Sequence, residues 1–150
     1  MYRTRGKQSM GQANKTLYNT RLYNWSNSSD YIVSLAKEFH IYGIGMKLGM
    51  PEEEHFQKVV QELQGDSVLA VFSGDVPVGV VSLSPTLFEN SHYPGKAMLT
   101  GFIVVEPGYS RAGAVLMRDA KRIAKENGAD WLIVTRAVNA TDYLQRGWKL

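Results

Sequence analysis

Hydrophobic and polar positions change period several times along the chain, and each change marks an element. Residues 1–20 show neither a helical nor an alternating apolar period and are rich in Gly, Gln, Asn, Thr and Ser, so they are expected to lie outside the core. Arg21 to Trp25 reads as a short strand. The run Ser26-Asn27-Ser28-Ser29-Asp30, rich in helix-capping residues, then opens a first helix carrying Ile32, Leu35, Ala36 and Phe39 on one face. Three glycines between Ile41 and Met50 break that helix. Pro51 and the three glutamates behind it start a second, because proline suits a first turn and acids there complement the helix dipole. Its apolar face is Phe56, Val59, Val60 and Leu63.

From Val68 the pattern turns to strands. VLAVFS and VGVVSLS, joined through SGDVPVG, predict a β-hairpin. A polar loop, Pro85 to Lys96, leads into the apolar run AMLTGFIVV, read as a buried central strand ending at Glu106-Pro107. Leu116, Met117, Ala120, Ile123 and Ala124 then mark an amphipathic helix with charges at 118, 119, 121, 122, 125 and 126 on its other face, stopped by Asn127-Gly128. Trp131 to Thr135 is another buried strand, and Asn139-Ala140-Thr141-Asp142 resembles the capped start of a short final helix ending near Gly147. The order β-α-α-β-β-β-α-β-α predicts a mixed α/β fold.

Length and composition narrow the classes. One hundred and fifty residues, 44% hydrophobic and 21% charged, fit one globular domain, taken as 21–150 behind a basic extension at 1–20. No cysteine is present, which excludes disulfides, a cysteine nucleophile and thiolate-bound metals. No apolar run reaches the roughly 20 residues of a membrane span, and a cytoplasmic location is expected. The net charge of +3 divides unevenly: residues 1–29 carry +5 with no acid, whereas the other 121 carry 12 basic and 14 acidic side chains. Five cations in the first 29 residues, four of them in the extension, make a poor nucleic-acid site without a folded basic surface, so the extension reads either as a mobile tail or as an arm for a partner protein. His40, His55 and His92 fall at no metal-ligand spacing, and no metal site is expected.

The segment most suggestive of chemistry is IVVEPGYSRAGAVLMRDAKRIAKENG, a strand, a glycine-bearing turn and a helix. Such a turn sets backbone N–H groups at the positive end of a helix dipole, a general way of holding phosphate. It has neither Walker nor dinucleotide glycine spacing. Together with the later strand and Tyr143-Leu-Gln-Arg-Gly147-Trp148, it resembles the GNAT superfamily of acyl-CoA N-acyltransferases. There a central strand ends in Val-x-Pro, a loop of the form Arg/Gln-x-x-Gly-x-Gly/Ala opens a long helix, and Tyr-x-x-x-Gly-Phe follows. The match runs over roughly 21–150 and extends to the short acetyltransferase-like proteins of tailed bacteriophages, which would place the protein in host cytoplasm or virion. Gly108 stands where the pattern has Arg or Gln, Arg111 where it has Gly, and Gly113 keeps the third point.

The resemblance implies a mostly antiparallel sheet with helices on both faces and its terminal β-hairpin truncated. It further implies that acetyl-CoA is the cosubstrate and an amine, on a small molecule or a protein, the acceptor. Ile103, Val104 and Val105 would hold the pantetheine arm; Gly108, Tyr109, Ser110, Arg111, Ala112, Gly113 and Ala114 the pyrophosphate; Arg118 or Arg122 the ribose phosphate. Tyr143 would return a proton to the departing sulfur. The attacking amine needs a base, for which Glu106 and His92 are the candidates; Thr100 stands where related sequences carry a glutamate. The acceptor site would be shaped by His40 to Met50 and Pro85 to Lys96. A sheet without its last hairpin is expected to have its edge covered by the arm, a second copy or another protein. The competing reading is a catalytically silent GNAT-fold structural or interaction protein, a phage virion or host-interaction component that engages its virion or host partner through the basic N-terminal arm.

Overall fold

The computed structural model describes residues 17–39, 48–139 and 141–150. The basic extension up to residue 16 and residues 40–47 of the acceptor-side segment lie outside the described residues. The elements run β1 (Tyr18–Asn24), α1 (Trp25–Glu38), α2 (Glu52–Leu63), β2 (Ser67–Ser73), β3 (Val76–Leu83), β4 (Phe88–Asn90), β5 (Tyr93–Val105), α3 (Ser110–Glu126), β6 (Trp131–Ala137) and β7 (Tyr143–Lys149). They form one seven-stranded sheet in the order β1-β2-β3-β5-β6-β7, with the short β4 paired to β5. Every pairing is antiparallel except β5 with β6.

Both faces of the sheet are covered, which is why β2 and β3 read as unbroken apolar runs. In β2, Val68, Ala70 and Phe72 point to one side and pack under α1 and α2 with Ile32, Leu35, Val59 and Leu63. Leu69 and Val71 point to the other side and meet Ala112, Leu116, Ala120 and Ile123 of α3. The two-residue period of a strand thus divides one sequence run between two cores.

Helix boundaries follow local chemistry. Glu52, Glu53 and Glu54 occupy the first turn of α2. At the end of α3, Gly128 N–H reaches Lys125 O and Ala129 N–H reaches Ala124 O, both at 3.0 Å, the paired closure that the Asn-Gly stop predicts. Helix α1 starts at Trp25, ahead of the predicted capping run; that run instead yields a break at Ser28, whose backbone (φ −139°, ψ 27°) leaves the helical region. Asp119 is a second departure: counted with the charged face, it is only 9% exposed. It sits three residues after Leu116 and four before Ile123, on the apolar stripe, where it accepts a 2.7 Å hydrogen bond from the Thr20 hydroxyl of β1.

The extension loses its last three residues to the sheet, since β1 starts at Tyr18. The largest correction is at the C-terminus. The helix expected between Asn139 and Gly147 does not form; Tyr143–Lys149 is strand β7, in register with β6 from Ala137↔Tyr143 to Trp131↔Lys149. The capping chemistry of Asn139 is real but serves a turn. Its side-chain oxygen accepts the N–H groups of Thr141 and Asp142, both at 2.9 Å, and Val138 N–H closes onto Asp142 O. Strand pairing also exploits Gly147, where a Cβ would collide with the Tyr93 ring. Trp148 and Leu150, two apart, then lean on the α3 core. The outer edge of the sheet therefore falls on β7.

Candidate functional site

The parallel pairing of β5 with β6 is brief. It spans Ala97↔Trp131, Met98↔Leu132 and Leu99↔Ile133, and there it stops. From Thr100 onward β5 pairs with β3 alone, through Leu83↔Thr100 and then Val81↔Ile103 to Gly79↔Val105, while from Val134 onward β6 pairs only with β7. The strands diverge from a closed end at Leu99 and Ile133 toward an open end at Val105 and Ala137. The Thr100 hydroxyl fastens the closed end by donating to Ile133 O at 3.1 Å. Along the gap, alternate peptide groups of β5 point away from β3 and have no strand to receive them. Phe102, Ile103, Val104 and Val105 are half-buried and Gly101 is exposed, although β5 lies inside the sheet.

At the open end the chain turns sharply. Glu106 N–H is held by Val78 O at 2.9 Å, and Tyr109 N–H returns to Glu106 O at 3.2 Å. Gly108 sits inside this turn with φ +88° and open space where a Cβ would lie, so backbone conformation rather than crowding calls for glycine. The first hydrogen bond of α3 joins Gly113 N–H to Tyr109 O. The amides of Ser110 and Ala112 precede it and find no acceptor within the helix. Tyr109 makes no side-chain cap, and the first turn of α3 contains no acid, in contrast with the three glutamates of α2. The positive end of α3 is thus left uncompensated by its own residues and faces the mouth of the gap. Arg111 lies in helical backbone in this first turn, so the positive-φ requirement attached to the pattern's glycine does not arise. Gly113 touches the Val105 side chain at ordinary contact distance.

Farther along α3, Arg118 reaches Asp119 at 3.1 Å, and Arg122 pairs with Glu126 at 3.2 Å. Burial alone would raise the Asp119 carboxyl; the Thr20 hydroxyl, Arg118 and Arg122 together outweigh it and hold the group below the usual aspartate range. Arg118, Lys121, Arg122 and Lys125 rim a groove of about 620 Å³ whose floor includes Ala114, Met117 and Leu150. At its edge Trp148 is sandwiched between Lys121 and Arg146, 3.9 and 4.0 Å from the ring centroid. This groove runs along the charged side of α3, the helix whose start lies at the mouth of the gap.

The structure brings Ile103, Val104, Val105 and the turn from Gly108 to Ala114 together along one wall and the mouth of the gap. It does not bring Glu106, His92 and Tyr143 to the closed end. Glu106 follows the open end of β5, and Tyr143, exposed on β7, stands opposite Ala137 at the same end. His92 is exposed in the turn before β5, beyond the closed end. Sequence reasoning missed two groups that do adjoin the closed end, Ser82 and Asp66. Ser82, 2% exposed, accepts the Phe102 N–H at 2.7 Å where the β3–β5 register shifts. The one sequence signal was a polar residue beside an apolar run, Asp66 just before β2 and Ser82 near the end of β3.

No protein-family model matches the sequence, and no curated protein matches it either. Solved structures do. The aminoglycoside N-acetyltransferase AAC(6')-Iy in complex with CoA is similar at a TM-score of 0.55 and 15% identity, covering 81% of this chain and 78% of that one. The ribosomal-protein-alanine N-acetyltransferase of Brucella melitensis biovar Abortus 2308 matches at 0.54 and 15%, covering 81% and 82%. A GCN5-related N-acetyltransferase from Ralstonia eutropha JMP134 gives 0.54 and 13%, covering 82% and 85%. The fold is that of the GNAT-type acetyltransferases, with its mostly antiparallel sheet and helices on both faces. Among the described residues no helix is long and apolar enough to cross a membrane.

Proposed function

We propose that this protein is an acetyl-CoA-dependent N-acetyltransferase that passes the acetyl group to an amine by direct attack in a ternary complex. The observation that carries the reading is the divergence of β5 from β6, with its mouth at the uncapped, acid-free start of α3. An extended amide-bearing arm suits an unpaired strand edge, and a pyrophosphate suits a helix N-terminus. Similarity to a CoA-bound acetyltransferase supports the same assignment. Ile103, Val104 and Val105 would pair with the arm, the turn Gly108 to Ala114 would wrap the pyrophosphate, and Arg118 would meet the ribose phosphate. Bound there, acetyl-CoA supplies an acyl group activated as a thioester.

The residues then have three tasks. The strand edge fixes the carbonyl, the turn neutralises phosphate charge, and the closed end at Thr100 and Ile133 limits how deep the thioester travels. On this reading Tyr143 and Glu106 stand at the phosphate end of the gap, away from the reacting carbonyl, and a base is needed at the closed end. Isothermal titration of the full chain with acetyl-CoA is expected to show saturable binding tighter than millimolar, and no heat of binding at millimolar ligand would overturn the reading. Binding without thiol release in the presence of any primary amine would instead identify a catalytically silent module.

A further inference from the structure

We propose that Asp66 is the catalytic base that deprotonates the acceptor amine, an inference that rests on the acetyltransferase reading above. Asp66 lies in the turn between α2 and β2, immediately before Ser67. The register runs Ser67↔Leu83 and Leu83↔Thr100, so the start of β2 and the closed end of the gap share one row across the sheet. A Cβ built on Gly101 would sit 3.4 Å from Asp66 Oδ2 and 2.6 Å from Ser82 Oγ. Glycine at 101 therefore does more than accommodate the bulge: a side chain there would displace Ser82 and stand between the carboxylate and the gap. The half-buried Asp66 and the exposed Gly101 leave this position open to an incoming substrate.

None of the catalytic groups suggested by sequence, the bases Glu106 and His92 or the acid Tyr143, has this placement. At about 3.3 Å per strand residue, Glu106 is some 16 Å beyond Gly101, and Ala137, opposite Tyr143, about 13 Å beyond Ile133. His92 precedes Leu99 by seven residues, roughly 23 Å the other way. Thr100 stands where the resembling sequences carry a glutamate, and its hydroxyl is engaged with Ile133 O. The carboxylate comes from the neighbouring α2–β2 turn instead.

The surroundings suit a base. Glu62 of α2 is the ionisable neighbour acting on Asp66 among the described residues, and Ser82 of β3 and Gly101 of β5 stand beside its carboxylate. No ion pair among the described residues involves Asp66. Burial first, and the charge of Glu62 second, push its carboxyl above the usual aspartate value, toward the range in which a carboxylate accepts protons from an ammonium more readily. In the step, one ammonium proton passes to Asp66 and on to solvent. The freed lone pair forms the C–N bond at the thioester carbonyl carbon, the C–S bond breaks with its electron pair on sulfur, and a second proton moves from nitrogen to that sulfur.

The test uses the full chain, acetyl-CoA and a panel of primary amines, following thiol release with the amine that reacts fastest. Asp66→Asn is expected to lower kcat/KM at neutral pH by about 100-fold or more, to leave acetyl-CoA affinity within about twofold by titration, and to abolish the acid limb of the pH–rate profile. Its thermal midpoint should rise at neutral pH. The sign follows from the raised folded-state value: ionising Asp66 between the unfolded and folded values costs stability, and the neutral amide removes that cost. Glu62→Gln, an exposed change, should move the acid limb to lower pH while keeping the neutral-pH rate. An unchanged acid limb in both variants, with binding intact, overturns the assignment of Asp66 alone. Absence of acetyl-CoA binding by the unaltered protein overturns it together with the acetyltransferase reading.

Discussion

Strands β2 and β5 both run through the interior of one sheet, yet their solvent exposure differs sharply. From Val68 to Phe72 every residue of β2 is buried, and both its edges are hydrogen-bonded over the whole strand. The second half of β5 keeps one edge paired and is half-exposed from Phe102 to Val105. Local composition does not separate them, since both are rich in Val and Phe. What separates them is the partner: β2 has antiparallel neighbours throughout, whereas β5 has a parallel neighbour that leaves after three residue pairs. One half of the sheet is paired and buried throughout, and the other leaves backbone groups unpaired along one strand edge.

Truncating a buried side chain in each half should expose this division. Leu69→Ala, in the closed half and 1% exposed, is expected to cost about 2–5 kcal/mol of unfolding free energy, through lost burial and the cavity left behind. Ile103→Ala, beside the gap, should cost less than half of that and appear mainly as weaker acetyl-CoA binding. Urea denaturation read beside ligand titration checks both. Equal losses of stability would mean that β5 is packed as tightly as β2, and unchanged acetyl-CoA affinity in Ile103→Ala would mean that this side chain takes no part in binding.

The closed half was legible in the sequence because its signals are local. The apolar runs VLAVFS and VGVVSLS, Pro51 with its glutamates, and the Asn127-Gly128 stop each act within a few residues of themselves. The open half was only partly legible. The turn Gly108 to Gly113 announced itself by composition and by family resemblance. Asp66 and Ser82 carried only the signal of a polar residue beside an apolar run, because their meaning lies in register, which brings positions 66, 82 and 101 together. The C-terminal segment was misread for a related reason. Asn139 can cap a helix or close a turn with the same side-chain oxygen, and the choice is made by a remote contact, the Tyr93 ring against Gly147.

A smaller effect should come from the tie between α3 and β1. Thr20→Val removes the hydroxyl that donates to Asp119 and leaves a nearly buried carboxylate with one hydrogen bond fewer, at an expected cost of about 1–3 kcal/mol. The pH dependence has a definite sign. Asp119 titrates below the usual aspartate range in the folded protein, so its contribution is present above the unfolded value and is lost as pH falls through the folded one. The Thr20→Val difference should therefore shrink in acid. Thermal midpoints of the two proteins at neutral pH and at pH near 3 measure it, and a difference that grows in acid would assign the stabilisation to another group.

The smallest expected change in stability falls where the two halves meet most directly, at the first turn of α3. That helix packs its face on the closed half and presents its start to the open one, so a substitution at Ser110 separates the two demands. Ser110 is exposed, and its turn contains no acid. Ser110→Asp places a carboxylate against the positive end of the helix, which by itself should stabilise the fold by about 0.3–1 kcal/mol at low salt. The same charge would occupy the field that an incoming pyrophosphate needs, so acetyl-CoA affinity should fall by at least about tenfold, a loss of about 1.4 kcal/mol in binding. Opposite signs in the two measurements are expected only if the positive end of α3 serves a ligand rather than the fold. A gain in stability with unchanged affinity would place the phosphates elsewhere, and the basic groove lined by Arg118, Lys121 and Arg122 would be the next position to probe by charge reversal.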